Sequence, residues 1–394
     1  MIERCIVCRS RNLDPLLEIK SMPVFCNVLS PTPTDALKIP RGDIKLASCQ
    51  ECGHIFNLEF NTGLMDYRLE YENSLHYSER FNQFASVITC DLIERYDLTE
   101  ATILDIGCGN GEFLELICGM GNNHGVGFDP RHIPGNGKIF HQRRQGNIRI
   151  IQDTFSDKYH KIKADFILCR HVLEHLNDPA ELLARIHRAL KNKQGGGAYF
   201  EVPNMDYTID HLAIWDILYE HCSYFSGASL SRLVSSCGFE PRKLNLGFGN
   251  QFICLDVSSE RIKNENLKVH RRMIDIQPRQ LKAFAQEYCH KVELWHQKME
   301  ALLVRDSRIV LWGAGSKGVT FLNAVALEGG IQYVVDINPR KQGNFISGTG
   351  QQIVAPEFLQ EYRPDAVILM NPIYKKEIVE LTRRLGVYTD ILVA

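Results

Sequence analysis

The stretch Thr102-Ile103-Leu104-Asp105-Ile106-Gly107-Cys108-Gly109-Asn110-Gly111 constrains this chain more than any other. Its apolar start asks for a buried strand, and its three alternating glycines ask for a tight turn directly after it. Phe113, Leu114, Leu116 and Ile117 then supply the apolar side of a helix. Strand, glycine turn and helix in that order expose the free N–H groups of a helix N-terminus, where a nucleotide-like ligand can approach the backbone. A lone Gly-x-Gly fits any Rossmann-type site, NAD sites included. The following strands narrow the reading. Gly125-Val126-Gly127-Phe128-Asp129 ends in an acid able to accept from two ribose hydroxyls. Ile150-Ile151-Gln152-Asp153 ends in one able to accept from an adenine amine. A fourth strand, Asp165 to Cys169, runs into Arg170-His171-Val172-Leu173-Glu174-His175, and a fifth spans Ala198 to Pro203.

A chain of 394 residues exceeds one ordinary core. Its patterns divide it into residues 1–62, cysteine-bearing and Pro-punctuated; 63–260, alternating strand and helix signals; 261–304, a helical linker; and 305–394, a second strand–glycine turn–helix series. Within the linker, Leu281, Phe284, Ala285, Tyr288, Val292, Trp295, Met299 and Leu302 recur at steps of three and four, which predicts one helix over 278–303. The expected class is α/β: an N-terminal zinc-binding domain, a central Rossmann-like domain and a smaller C-terminal Rossmann-like domain. Residues 134–147, rich in Gly, Gln, Arg and Lys, read as an exposed insertion.

A net charge of −2 gives no reason to expect nucleic acid or a membrane surface as partner. No apolar run approaches the roughly 20 residues that span a bilayer, and the start lacks a signal peptide's apolar stretch. A cytoplasmic protein is expected, and its oligomeric state is left open. In a reducing compartment the 13 cysteines read as metal ligands or small core residues. Cys5-x-x-Cys8 and Cys49-x-x-Cys52 are two identical pairs, each able to offer two thiolates from one turn. Together they suit a closed tetrahedral zinc site, structural because it keeps no open position. His54 stands by as a spare ligand.

Beyond the fifth strand, Tyr219-Glu220-His221-Cys222-Ser223-Tyr224-Phe225 gathers titratable and hydroxyl side chains. His221 is the candidate general base, Glu220 its orienting acid, and Tyr219 and Tyr224 are further candidates. His171-x-x-Glu174-His175 matches a zinc-peptidase pattern, but it follows directly on a strand of the cofactor fold, which argues against that activity.

Asp105-x-Gly-Cys-Gly-x-Gly, the acid Asp129 and Val-Leu-Glu-His after the fourth strand resemble the motifs of class I S-adenosylmethionine-dependent methyltransferases. With the four cysteines, the Glu-His pair, and the C-terminal Gly313-Ala314-Gly315-Ser316-Lys317-Gly318 and Asn338-Pro339-Arg340-Lys341-Gln342-Gly343, the whole chain resembles the sugar C-methyltransferase family. That resemblance implies S-adenosylmethionine and structural zinc as cofactors, a nucleotide-linked keto-deoxysugar as substrate, and His221 as the base. It also implies cofactor contacts from Asp105, Gly107, Cys108, Gly109, Asp129, Asp153, Arg170 and His171, and from the Tyr71 to Ser78 segment through Tyr71, Tyr77 and Ser78. The C-terminal domain would help hold the nucleotide. The sequence departs from the family at Leu218, where members carry Tyr, and at Phe248-Gly249-Asn250-Gln251-Phe252 after the base. O-methylation of a sugar or related small molecule is the alternative. A non-catalytic cofactor-binding module and a zinc-ribbon RNA methyltransferase are the remaining readings.

Overall fold

The computed structural model describes residues 2–65, 70–132, 148–162, 164–190, 196–260, 276–325, 327 and 329–394. The insertion expected over 134–147 lies outside them, as does the first part of the linker.

Residues Leu13–Pro23 (β1), Arg41–Cys49 (β2) and Ile55–Asn57 (β3) form an antiparallel N-terminal sheet. The central sheet begins with β4 (Thr102–Ile106), β5 (His124–Phe128), β6 (Ile148–Ile151), β7 (Phe166–Arg170) and β8 (Gly197–Pro203). These pair in parallel, with Asp105 opposite Gly127 on one side and Leu168 on the other. Helices Glu112–Gly121 and Pro179–Leu190 connect them, as the right-handed crossover of parallel strands requires. A two-residue strand, β9 (Ser223–Tyr224), lies outside this sheet and pairs with β3. It makes the N-terminal sheet four-stranded, in the order β1-β2-β3-β9. The chain returns as β10 (Glu240–Gly247) and β11 (Phe252–Ser258), and β11 is antiparallel to both β8 and β10. The central order is β10-β11-β8-β7-β4-β5-β6, so the direction of winding reverses at β4, beside the Asp105 turn. Ligands of open α/β sheets bind at that switch point.

The predicted linker helix spans Pro278–Val304 and buries Leu281, Phe284, Tyr288, Trp295 and Met299 along one stripe. Beyond it, β12 (Ile309–Trp312), β13 (Tyr333–Val335), β14 (Gln352–Val354), β15 (Ala366–Leu369) and β16 (Asp390–Val393) form a parallel sheet ordered β14-β13-β12-β15-β16. A mixed α/β molecule with two Rossmann-like sheets is therefore the fold. One hydrophobic cluster runs from Cys5 and Ile44 through Trp215, Tyr288 and Trp295 to Phe321 and Ile368, so the N-terminal sheet, the linker helix and the C-terminal sheet share a core.

Candidate active site

The glycine turn after β4 is fixed by its packing. Gly107 has φ +74°, and a Cβ there would lie 2.2 Å from Val172 Cγ2. Only glycine lets the Val-Leu-Glu-His segment close down on this turn. Asp129 ties the turn to the next strand: one carboxylate oxygen accepts from Gly109 N at 2.9 Å and the other from Arg131 N at 2.8 Å. Each oxygen keeps lone-pair capacity for a ribose hydroxyl. Asp105 is buried behind the turn. Burial lifts its pKa to about 7 despite nearby Arg170, and Asp129, Glu112 and Glu201 add repulsion. Such a concentration of acid suits a ligand that carries positive charge. Cys108 is buried beside it, and the same burial pushes its thiol well up, so it packs rather than reacts.

Asp153 lies just past β6, half-buried. Its carboxylate accepts from Thr154 N, Lys158 Nζ and Tyr159 Oη at 2.8, 3.0 and 2.6 Å, which lowers its pKa to about 2. Arg170, at the end of β7, lies buried over the Phe113 ring at 3.9 Å and donates to Glu201 at 2.8 Å. His171 shares that acceptor: its Nε2 is 2.9 Å from Glu201 and its Nδ1 3.5 Å from Glu174. Burial opposes a charge on His171, but the two carboxylates prevail and push its pKa up to about 9. The residue sits at φ +53°, a strained conformation that a backbone bond from its N–H to Glu201 O helps to hold. Glu174 and His175 then form a 3₁₀ turn, so the His-x-x-Glu-His pattern is not on an α-helix and the peptidase arrangement is absent.

A cavity of about 340 Å³ opens beyond these strand ends. His171, Glu174, His175 and His221 line its central-domain wall, and Gly313, Gly315, Ser316 and Lys317 line the opposite one. Tyr71, Tyr77 and Ser78 border it too. The structure thus brings His221 to the cavity but not its sequence neighbours. Glu220 is fully buried and accepts from Cys26 N and from Tyr71 Oη at 2.7 Å, so it does not orient His221. Glu174 is the carboxylate beside that ring. Burial, aided by His175, lowers the pKa of His221 to about 3. Tyr219 lies in the N-terminal core, where a Cβ on Gly42 would meet its ring at 2.3 Å, and its hydroxyl accepts from Asn61 N at 3.0 Å. Tyr224 is buried as well and donates to Leu218 O at 2.8 Å. Both tyrosines build the segment and neither lines the cavity.

The C-terminal unit repeats the cofactor turn's design. Asp336 accepts from Ala314 N and Asn338 N, each at 2.8 Å, as Asp129 does from Gly109 and Arg131. The Asn338–Gly343 motif clasps the Tyr71–Ser78 segment. Asn338 and Arg340 donate to the buried Glu72 at 3.2 and 3.1 Å, and Lys341 donates to Asn27 at 2.9 Å. Gln251 and Asn371 exchange reciprocal amide bonds of 3.0 and 2.9 Å across the same seam. Asn27, Asn204, Gln251 and Asn371 are cavity residues that sequence reasoning missed. Single amides carry no spacing signal, and only Gln251 stood inside a segment that drew notice.

The four cysteine sulfurs come together at the N-terminus. Cys5 Sγ is 3.5 Å from Cys52 Sγ and Cys8 Sγ 3.4 Å from Cys49 Sγ, and all four lie within 4.8 Å of one another. Those separations are near the roughly 3.7 Å edge of a tetrahedron with 2.3 Å bonds. His54 is not among them: its Nε2 faces Ser223 Oγ at 3.2 Å and its ring stacks on Phe56.

A family model described as a methyltransferase domain matches residues 78–244, and one described as a C-methyltransferase C-terminal domain matches residues 264–387. The ubiquinone biosynthesis O-methyltransferase of Thiobacillus denitrificans is 23% identical over 162 residues, 38% of this chain and 69% of that protein. Its namesake in Hydrogenovibrio crunogenus is 32% identical over 118 residues, 29% of this chain; the chain spans about half of that relative, 47% of its length. The 1,6-didemethyltoxoflavin-N1-methyltransferase structure from Burkholderia thailandensis aligns with a TM-score of 0.35 at 14% identity, over 46% of this chain and 80% of that one. This chain is an S-adenosylmethionine-dependent methyltransferase in which a class I methyltransferase domain is followed by a C-methyltransferase C-terminal domain.

Proposed function

We propose that the enzyme methylates a carbon of a nucleotide-linked keto-deoxysugar held between its two Rossmann-like units. The observation that carries this reading is the shared cavity, lined by His171, Glu174, His175 and His221 on one side and by Gly313, Gly315, Ser316, Lys317 and Gly318 on the other. Its volume suits a small molecule, since such sites run from roughly 300 to 1,000 Å³. The two walls differ in chemistry. The N-terminus of the Ser316–Val325 helix gives one end the N–H donors that phosphate groups use, beside Lys317, which pairs with Asp216, and Lys341, which donates to Asn27 and Ala314 O. The imidazole-lined end suits the group that must lose a proton.

S-adenosylmethionine supplies an electrophilic methyl group when bound. Asp105, Gly107, Cys108 and Gly109 would cradle it, with Asp129 accepting from the ribose. Arg170 and His171 keep the neighbouring wall charged and rigid. Asp153 spends its Oδ2 on Tyr159 and Lys158, and its Oδ1, bonded only to Thr154 N, keeps a lone pair for an adenine amine. His221 is the residue that activates the acceptor. A hydrogen next to a ketone is acidic because the resulting carbanion delocalises as an enolate, and His221 would take that proton as general base. Glu174 replaces Glu220 as the acid beside it. Cys5, Cys8, Cys49 and Cys52 hold a structural zinc ion with no open position.

The similarity to ubiquinone O-methyltransferases supports a second reading, in which the acceptor is a hydroxyl group. Product analysis decides between them. Incubation with S-adenosylmethionine carrying a ¹³C methyl and nucleotide-linked 4-keto-6-deoxyhexoses should give a methyl bonded to carbon in the NMR spectrum. A methoxy signal overturns C-methylation.

A further inference from the structure

The His-x-x-Glu-His segment has so far no full role. We propose that Glu174 and His175 join His221 to form a divalent transition-metal site facing the cavity, separate from the cysteine cluster. One donor atom of each residue lies within 4.8 Å of the others. An ion with bonds of about 2.0–2.2 Å would draw them to a separation of roughly 3–3.5 Å. Two imidazoles and one carboxylate form a catalytic donor set, because three protein ligands leave a position open.

Three further observations point to the same ion. Glu174 is 1% exposed, and its Oε2 is buried with no hydrogen-bond partner, while its other oxygen faces His171. A buried carboxylate oxygen left unpaired is costly, and a cation satisfies it. His175 Nδ1 is 2.9 Å from the backbone oxygen of Glu220. Donation to that carbonyl leaves the Nε2 lone pair free and sets the ring's orientation, as in metal sites whose histidines are steadied by a second hydrogen bond. His221 lines the cavity beside His175, their rings edge to face with centroids 5.0 Å apart. His171 is excluded from the set, because Glu201 and Glu174 occupy both of its ring nitrogens.

The role of the ion rests on the proposed activation of the acceptor at His221. The open position faces the cavity, where it would hold a water molecule beside the acceptor. In the metal-loaded enzyme His221 would act on the acceptor through the ion, in place of the direct proton transfer that it makes in the metal-free enzyme. The water on the ion would lose one proton to solvent, and the hydroxide left there would take the acceptor's C–H or O–H proton, the bonding electron pair staying on the acceptor and the water being regenerated.

Cobalt titration of the purified full-length protein tests the site. Cobalt at a cysteine cluster shows an intense thiolate charge-transfer band, whereas an imidazole–carboxylate site shows only weak visible bands. The wild type should take up one Co²⁺ per chain without a thiolate band. Glu174→Gln and His221→Asn should weaken that uptake at least roughly tenfold, with S-adenosylmethionine affinity kept as the sign of intact folding. If Glu174→Gln does not fold, His221→Asn carries the comparison. Failure of the wild type to bind such an ion, or binding unchanged in a folded variant, overturns the site. If the ion is absent and His221→Asn still abolishes turnover, the metal site falls and the general-base reading stands. If the ion binds and His221→Asn turns over normally, acceptor activation at His221 falls, and the role given to the ion falls with it.

Discussion

His221 and Asp105 show how much one side chain's surroundings decide. His221→Asn keeps size and polarity but removes the lone pair. Turnover should fall by roughly a hundredfold or more, the usual scale for an acid–base group, while calorimetry shows S-adenosylmethionine affinity unchanged. Retained activity would move acceptor activation to another residue. Asp105 makes a different prediction. Its pKa is raised to about 7 in the folded protein, so between about pH 4 and 7 the folded state binds more protons than the unfolded state there. That contribution to stability falls as pH rises through the window. A bound cation favours the carboxylate, so binding S-adenosylmethionine should release a proton near neutrality. Affinity should therefore be higher at pH 8 than at pH 6, and the difference should vanish in Asp105→Asn. Equal pH dependence in the variant would place the linkage on another group. The sequence made the glycine turn and Asp129 legible because they are local. It could not reveal that Glu174 rather than Glu220 stands beside His221. That choice follows from β9 turning away into the N-terminal sheet, a contact between residues far apart in the chain.

Among the elements, β9 does most to join the parts. Ser223 and Tyr224 pair with Phe56 and Ile55, and Asn57 N donates to Cys222 O at 2.9 Å. Cys49 ends β2 and Cys52 lies in the turn before β3, so the cysteine cluster braces the strand that positions His221. Metal analysis should find zinc at the cluster, and Cys49→Ser should lose it. Hydrogen exchange should then quicken at residues 219–224 and turnover should drop, with S-adenosylmethionine binding largely kept. Unchanged exchange there would uncouple the cluster from the site. The two Cys-x-x-Cys pairs and the 3.6-residue periodicity of the linker helix were readable because each pattern lies within one short stretch. The two-residue β9 was not, since so short a strand has no periodicity to detect.

At the scale of the whole molecule, the four sequence regions do not amount to four separate cores. Trp215 and Trp295 meet Phe321 edge-on, with ring centroids 4.9 and 5.4 Å apart, at the join of the central segment, the linker helix and the C-terminal unit. Trp295→Ala should cost about 3–5 kcal/mol. Because the N-terminal sheet shares this cluster, calorimetry should show its transition falling together with that of the C-terminal unit. Two transitions moving independently would contradict the shared core. Composition and pattern revealed two Rossmann-like series but not that their flanking parts would pack together, since the apolar faces that meet are separated by more than two hundred residues.

The late arrival of β9 also bears on how the chain is made. The ribosome releases β1, β2 and β3 early, yet the strand that covers the β3 edge emerges only after residue 224. For the intervening stretch of synthesis the nascent N-terminal sheet has an open edge, the kind that recruits other strands. Metal capture by the cysteines can begin in that interval, but the sheet cannot finish until the segment carrying His221 is delivered to it. Completion of the N-terminal unit and placement of the active-site segment are thus a single event in the life of the polypeptide.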